Sequence, residues 1–297
     1  MFVKIAQSSA PTHLVLAHRF SVAFVIACIP VLLKRVRIKI TFDDLKSIAP
    51  LALFYPVLFF LLQALGLMTT DSSFGGIINS LVPIFTIVLA AFFLKEKSTA
   101  LQMFFVVISV GGVIFITVMN GVGASRFDFV GTLLLTLSSL AFACHNILAR
   151  IKVRNYPAFT LTFVMVTSGC VAFNISAVIT CVGSGTISEY FKPFLSGGFI
   201  VAILYLGFLG SVGTSFLSNF ALSQIEASKM SVFSNLTVVV SMVAGAIILS
   251  EPVNWYHILG AVVIIVGVIG ANLSKRKAQI PGNLNKTCSD ALSKGQE

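Results

Sequence analysis

The sequence predicts an all-α polytopic membrane protein built from an inverted repeat. Of its 297 residues, 57% are hydrophobic and only 10% are charged, whereas about 25% of the residues in soluble domains are charged. The charges cluster at the ends of apolar runs of about 20 residues, the length that crosses a hydrocarbon core about 30 Å thick as a helix. Lipid offers no hydrogen bonds to the backbone, so a chain with many such runs must cross as helices.

Nine apolar runs predict nine membrane-spanning helices. The connections between them are short, so neighbouring helices must be antiparallel. The tail, residues 278–297, is rich in Asn, Ser, Lys and Gly, which predicts disorder. The predicted spans are 14–33, 48–68, 74–94, 100–119, 129–149, 158–182, 195–222, 230–250 and 256–273.

An internal repeat relates the two halves of the chain. Residues 64–97 recur, without a gap, 155 positions later as residues 219–252. Identity is low, but the register holds over more than fifty residues, including Gly-Val-Ile at both 112–114 and 267–269. The aligned pairs include Asp71 with Glu226, Ser73 with Ser228, Leu81 with Leu236 and Glu96 with Glu251.

The basic residues predict how the helices are oriented. If the loop at residues 34–39 is cytoplasmic, sixteen of the 20 Lys and Arg residues fall on that side, three fall on or toward the other side, and Arg19 lies within a helix. Positive charge is enriched in cytoplasmic loops, which places the C-terminus in the cytoplasm. This asymmetry accounts for the net charge of +10 without nucleic-acid binding.

This topology predicts that the two halves are inverted. The helix before Glu96 ends on the cytoplasmic side, whereas its copy before Glu251 ends on the opposite side. We expect a first repeat over residues 1–120 and a second, inverted repeat over residues 127–274. Inverted repeats form two equivalent gates around a central site, the usual architecture for alternating access.

The first repeat is predicted to lack most of its first helix. Lys4 aligns with Arg150 and Pro11 with Pro157 at an offset of 146, which leaves about eighteen residues, 129–146, without a counterpart. We therefore expect a ten-helix design of which nine helices are present here. A signal peptide is the alternative interpretation, but its basic residues would precede the apolar run.

Two motifs resemble the EamA-type drug/metabolite transporter (DMT) superfamily. They are the Leu-x-Glu that closes the fourth helix of each half and the segment 227–236 that opens the ninth helix. The resemblance extends from Met1 to about Lys277. It implies ten helices in inverted repeats, a central cavity lined by helices one, three, four, six, eight and nine, and frequent roles in exporting amino acids and related metabolites. The chain departs from the family pattern at Val238, which replaces the counterpart of Pro83.

Polar side chains on the lining helices are the candidate substrate-binding residues. A polar group inside a membrane costs free energy unless it faces protein, water or substrate. Hydrogen bonding between helices is the alternative role for each of them. The resemblance further places Lys4 at the family's helix-one lysine, where it could meet a carboxylate. The remaining candidates are Gln63, Asn79, Ser80, His145, Asn146, Tyr205, Thr214, Asn219, Ser234 and Asn235.

The charged residues restrict the chemistry of transport. None of the ten Asp and Glu residues is predicted near the middle of a helix, so proton coupling would depend on His18 or His145. Glu96 is expected to lie near the N-terminus of the next helix. Arg19 is expected to anchor carbonyl groups of a neighbouring helix. A mildly polar cavity favours a small zwitterionic or amphipathic metabolite over a polyanion, which would need several basic groups.

Together these observations predict a secondary transporter in the cell membrane. We expect an exporter of small metabolites such as amino acids that works by alternating access. The alternative is a non-transporting membrane protein or an inactive transporter fragment. No cluster of His, Ser and carboxylates predicts an enzyme, and we expect no cofactor and no metal. The expected partners are a small-molecule metabolite and membrane lipid but no nucleic acid, and formation of a homodimer stays open.

Overall fold

A computed structural model describes residues 2–36, 38, 40–70, 72–96, 98–119, 128–249 and 254–278. These residues form ten helices and two short 3₁₀ turns, Ile187–Glu189 and Lys192–Leu195, and they contain no β-strand. The helices are α1 (Phe2–Ser9), α2 (Thr12–Leu32), α3 (Phe42–Gly66), α4 (Ser72–Asn79 and Val82–Leu89, continued by Ala90–Leu94), α5 (Ala100–Met119), α6 (Phe129–Lys152), α7 (Ala158–Gly183), α8 (Gly197–Gln224), α9 (Ala227–Phe233 and Leu236–Leu249) and α10 (Trp255–Ala278).

The predicted all-α membrane fold is confirmed. In the described part of the chain, eight helices, α2 to α8 and α10, are long and apolar enough to cross a membrane. The remaining predicted span, 230–250, corresponds to α9, which is interrupted after Phe233. Many large apolar side chains remain exposed on the outside of the bundle, as lipid contact requires.

Helix α3 begins at Phe42, six residues before the predicted start at 48. Thr41 and Asp44 form a capping box: the Asp44 carboxylate accepts a hydrogen bond from the Thr41 N–H (2.9 Å), and the Thr41 hydroxyl accepts one from the Asp44 N–H (3.2 Å). These bonds satisfy donors that a helix start leaves unpaired. The capping pair allows a polar first turn to precede the apolar run.

Glycines bring α5 and α10 into close contact. A Cβ added at Gly267 would lie 2.6 Å from the backbone nitrogen of Ser109, and one at Gly112 would lie 3.1 Å from the carbonyl oxygen of Gly260. Small residues at helix interfaces allow backbones to approach closely in membranes. The α5–α10 pair therefore depends on the absence of these side chains.

Helices α3 and α8 share an irregularity at equivalent positions. Residues Phe208–Gly213 of α8 form π-helical turns, and Leu53–Leu58 of α3 form a kink at which Tyr55 has an extended conformation (φ −144°, ψ 124°). The two segments are separated by 155 positions, the offset of the sequence repeat. Within α3, Pro56 lacks the N–H that would continue the α-helical hydrogen bonds. Both segments lie near the middle of their membrane spans.

Helices α4 and α9 are interrupted at positions that overlap by one residue in the sequence repeat. The break in α4 falls at residues 80–81 and the break in α9 at residues 234–235. At the offset of 155, Ser80 aligns with Asn235, and both lie within a break. The sequence predicted continuous helices here, because apolar periodicity does not report the loss of one or two backbone hydrogen bonds.

Candidate functional site

The breaks in α4 and α9 face each other across one cavity of about 350 Å³. Four of the predicted binding residues therefore come together on its wall, two from each break. They are Asn79 and Ser80 from α4 and Ser234 and Asn235 from α9. The rest of the wall is formed by Phe59, Gly76, Val82, Val113, Phe142, Thr237 and Val238.

Serine hydroxyls bond to backbone carbonyl groups at both breaks. Ser80 donates to the carbonyl oxygen of Ile77 (2.6 Å), and Ser234 donates to that of Ser231 (2.5 Å). Such local bonds compete with the regular helical pattern. In α4, Pro83 also has no N–H to donate to the carbonyl of residue 79. In α9 the break forms without a proline.

Two amides are held at opposite sides of the cavity. Asn79 Oδ1 accepts a hydrogen bond from the Ser139 hydroxyl of α6 (2.9 Å), and Asn235 Nδ2 donates to the Ser109 hydroxyl of α5 (3.1 Å). The Asn79 NH₂ group and the Asn235 carbonyl oxygen form no hydrogen bond with a described residue. The cavity thus offers a donor on one side and an acceptor on the other.

An aromatic cluster lies behind the cavity wall. We define it as Tyr55, Phe59, Phe60, Phe142 and His145. The Tyr55 ring centroid lies 5.3 Å from that of Phe142 and 5.0 Å from that of His145, and Phe142 stacks on His145 at 5.9 Å. Because Phe59 and Phe142 also line the cavity, the cluster supplies its apolar side.

His145, Asn146 and Asn219 are buried outside the cavity wall. His145 packs within the aromatic cluster, and its Nδ1 lies 3.5 Å from the carbonyl oxygen of Leu51. Asn219 Nδ2 donates to the Thr162 hydroxyl (3.1 Å), which joins α8 to α7. These contacts place both His145 and Asn219 in helix packing; Asn146 is buried on α6.

The other predicted residues lie farther out. Tyr205 is 43% exposed and stacks on Phe2 with centroids 4.0 Å apart. Thr214 is exposed, and its hydroxyl donates to the Leu209 carbonyl of its own helix. Gln63 is half-buried on α3. Lys4 belongs to α1, and its side chain lies outside the described part of the structure.

Among the residues around the cavity that the sequence analysis missed are Phe59, Ser109, Ser139 and Phe142. Helical periodicity contained a signal for two of them. Phe142 precedes His145 by three positions and Phe59 precedes Gln63 by four, spacings that place residues on one helix face. The two serines give no such signal, because their role depends on amides from other helices.

Glu96, expected near the N-terminus of the next helix, is bonded among the described residues to the start of α9. Its carboxylate accepts hydrogen bonds from the N–H groups of Ala227 and Ser228 at 3.3 Å and from the Ser228 hydroxyl, so it caps α9. Lys95, in a left-handed conformation with φ of 53°, turns the chain just before it. Glu251, its repeat counterpart, lies outside the described residues.

Arg19 anchors the π-helical segment of α8, as predicted from its position. Its Nε donates to the Ser211 hydroxyl (2.8 Å) and its Nη2 donates to the Gly210 carbonyl (2.7 Å). The guanidinium carbon lies 5.1 Å from the centroid of the Phe60 ring. Arg19 thereby joins the α2 helix to the irregular centre of α8 and to the aromatic cluster.

Comparisons with known proteins agree with this architecture. The chain is 46% identical over 283 residues to the uncharacterized transporter YcxC of Bacillus subtilis (strain 168). The aligned region covers 95% of this chain and 91% of that protein. It is 27% identical over 263 residues to an uncharacterized transporter of Archaeoglobus fulgidus, covering 84% of each. A solved crystal structure with 17% identity superposes with a TM-score of 0.74 over 93% of both chains, which shows the shared fold.

The sequence profile of the EamA-like transporter family matches residues 1–118 and 129–273. The matched ranges together take in nearly the whole helical part of the chain, and they lie on either side of the segment between α5 and α6. The chain therefore belongs to the EamA-like transporter family.

Proposed function

We propose that this transporter exports small metabolites, such as amino acids, across the cell membrane by alternating access, with its C-terminus in the cytoplasm. The observation that carries the proposal is the pair of helix breaks that overlap at the offset of the repeat and line one cavity. In secondary transporters, interrupted helices in corresponding halves commonly form the substrate site. Small rearrangements at the two breaks would open the cavity first to one side and then to the other.

The chemistry of the cavity supports a small, partly polar solute. The Asn79 NH₂ group can donate to a substrate and the Asn235 carbonyl oxygen can accept from it, while Phe59 and Phe142 contact its apolar part. A volume of about 350 Å³ lies at the small end of the range for ligand pockets. No basic side chain is among the lining residues described, which disfavours a polyanion.

The proposal is tested by reconstituting the purified protein into liposomes. A panel of radiolabelled amino acids and related metabolites is offered, and uptake is compared with that of empty liposomes. Direction is tested in cells preloaded with dipeptides, by comparing amino-acid efflux with and without the protein. Asn79→Ala and Asn235→Ala should each lower transport about tenfold, because each variant loses one hydrogen bond between the protein and the substrate.

Asn272→Ala is the matched control for these variants. Asn272 is also a helical asparagine, and its Nδ2 donates to the Val268 carbonyl of its own helix, α10 (2.8 Å), but it lies outside the cavity lining. This variant should transport as well as the unmodified protein. Flux no greater than in empty liposomes across the whole panel, in both directions, would overturn the proposal and favour a non-transporting membrane protein.

A further inference from the structure

Arg19 carries a permanent charge within the membrane span of α2. An ionisable residue at such depth is costly and commonly marks a functional site. The two salt bridges among the described residues, Lys192–Glu189 and Lys229–Glu226, do not include it. No described carboxylate therefore neutralises Arg19.

Anchoring α8 does not by itself require this charge. The acceptors of Arg19 are a hydroxyl, that of Ser211, and a backbone carbonyl, that of Gly210. A neutral amide side chain such as Gln could donate to either one without the cost of burying a cation. The second amino group of the guanidinium, Nη1, forms no hydrogen bond with a described residue, and the Arg19 side chain keeps part of its surface accessible.

Tyr55 provides an independent, unused polar group beside Arg19. The Phe60 ring lies next to both residues, 5.1 Å from the guanidinium carbon and 5.6 Å from the centroid of the Tyr55 ring. The Tyr55 hydroxyl forms no hydrogen bond with a described residue, and the side chain is only partly buried.

Both groups lie at the level of the irregular centres of α3 and α8. Gly210 and Ser211 are thirteen residues from the two ends of α8 (Gly197–Gln224), and Tyr55 lies thirteen residues after the start of α3. Sites in secondary transporters lie near the bilayer midplane, at helix irregularities of this kind. The Tyr55 ring packs against Phe59 and Phe142, with centroids 5.5 Å and 5.3 Å apart, so Tyr55 lies directly behind the cavity wall.

We propose that Arg19, together with the Tyr55 hydroxyl, binds the carboxylate of the transported substrate and thereby selects for carboxylate-bearing solutes. This inference rests on the proposed transport function and specifies its substrate class. One free guanidinium arm and one hydroxyl can donate to the two oxygens of a carboxylate, whereas a phosphate group would need more donors. The rings of Phe20, Phe60 and Tyr55 would contact the apolar part of the substrate.

The test measures binding in detergent with matched pairs of ligands. Each L-amino acid is compared with its C-terminal amide, which lacks only the carboxylate charge, by the shift of the thermal unfolding midpoint. We expect at least one acid to bind about tenfold more tightly than its amide, the size of effect that a charged hydrogen bond gives. Arg19→Gln should abolish this preference, and Tyr55→Phe should weaken it.

Arg150→Gln is the matched control for Arg19→Gln. Arg150 also donates to a carbonyl group of α8, that of Leu222, but at the cytoplasmic end of the helix. It should keep the preference for the acid. The preference is the ratio of acid binding to amide binding, measured within one protein. If Arg19 had only a structural role, Arg19→Gln would lower the unfolding midpoint but leave this ratio unchanged. If Arg19→Gln does not fold, the preference for acids over amides is measured in Tyr55→Phe and Arg19→Lys instead.

The outcomes separate this inference from the proposed function. Equal binding of acids and amides by the unmodified protein, no binding of either, or a preference kept by Arg19→Gln would each overturn the inference. Transport of uncharged solutes in liposomes would then still support the proposed function. Preferential binding of acids without any transport would support the carboxylate site and overturn the transport function.

Discussion

The carboxylate of Glu96 and the hydroxyl of Ser228 are 2.7 Å apart, and they join the end of α4 to the start of α9. The same carboxylate accepts hydrogen bonds from two backbone N–H groups at the start of α9. A negative charge at this place satisfies unpaired donors and complements the helix dipole. Residues that are 132 positions apart thus connect the two halves of the protein.

We expect Glu96→Gln to lower the free energy of unfolding by about 0.5–2 kcal/mol, the usual cost of losing a charged helix cap. The measurement is chemical unfolding in detergent, followed by circular dichroism. Glu189→Gln is the control, because Glu189 forms an exposed pair with Lys192 and exposed pairs contribute little. If both variants lose the same free energy of unfolding, the contact between Glu96 and Ser228 does not stabilise the protein more than an exposed ion pair does.

We expect Gly267→Ala to destabilise the protein by about 1–3 kcal/mol, the usual cost of overpacking. The added Cβ would meet the Ser109 backbone at 2.6 Å, so α5 and α10 would have to separate. In Gly111→Ala the new methyl group meets no atom within 4 Å, and the better helix propensity should stabilise by up to about 1 kcal/mol. The measurement is thermal unfolding of both variants. A Gly267→Ala protein as stable as the unmodified one would contradict the close packing of α5 against α10.

We expect the contribution of Asp128 to stability to depend on pH. The Gly131 N–H and the Thr69 hydroxyl donate to its carboxylate, which lowers the pKa of Asp128 in the folded protein. A group with a lowered folded pKa stabilises the protein above its unfolded pKa, about 3.9, and this contribution is lost as the pH falls further. The difference in unfolding midpoint between the unmodified protein and Asp128→Asn should therefore be constant near pH 7 and shrink below about pH 4. A difference that grows on acidification would refute this.

We expect His145 to matter chiefly for packing of the aromatic cluster. His145→Ala would leave a void beside Tyr55 and Phe142, and we expect a loss of about 3 kcal/mol. His145→Phe keeps a ring and loses only the long contact with Leu51, so its cost should be about 1 kcal/mol. Unfolding in detergent and transport in liposomes are measured for both. Normal stability with abolished transport in His145→Phe would instead assign His145 a role in substrate or proton binding.

We expect a reporter fused after Lys277 to lie in the cytoplasm and one inserted near Ser184 to lie on the opposite side. The physical reason is the excess of basic residues in the loops assigned to the cytoplasm. The measurement combines an alkaline phosphatase fusion, active only outside the cytoplasm, with a fluorescent protein fusion, active only inside. If both positions report the same side, the predicted orientation is wrong.

The helical fold could be predicted from the sequence because long apolar runs and their flanking charges follow directly from the dimensions of a bilayer. Part of the candidate site followed as well. Asn79 and Asn235 stand out because amides are rare within apolar runs, and the repeat aligns the segments that contain them. Both lie on the cavity wall in the structure.

The position of Thr214 shows what the sequence could not predict. Thr214 follows the π-helical segment Phe208–Gly213, and each residue that such a segment inserts rotates all later residues by about 100° around the axis. A projection with a regular period of 3.6 therefore assigns Thr214 to the wrong face of α8. The contact between Glu96 and Ser228 was equally inaccessible, because no local pattern reports on a partner so distant in the chain.

The breaks in α4 and α9 also show what interrupting a membrane helix requires in this chain. They lie 154 positions apart, so they overlap at Ser80 and Asn235 of the sequence repeat, and in each a serine hydroxyl bonds to a carbonyl group three residues earlier. Only one copy has a proline beside the break, Pro83, and the other has Val238. The interruption therefore does not depend on proline, and the serine hydroxyl bonded to a nearby carbonyl group is the feature that both breaks have in common.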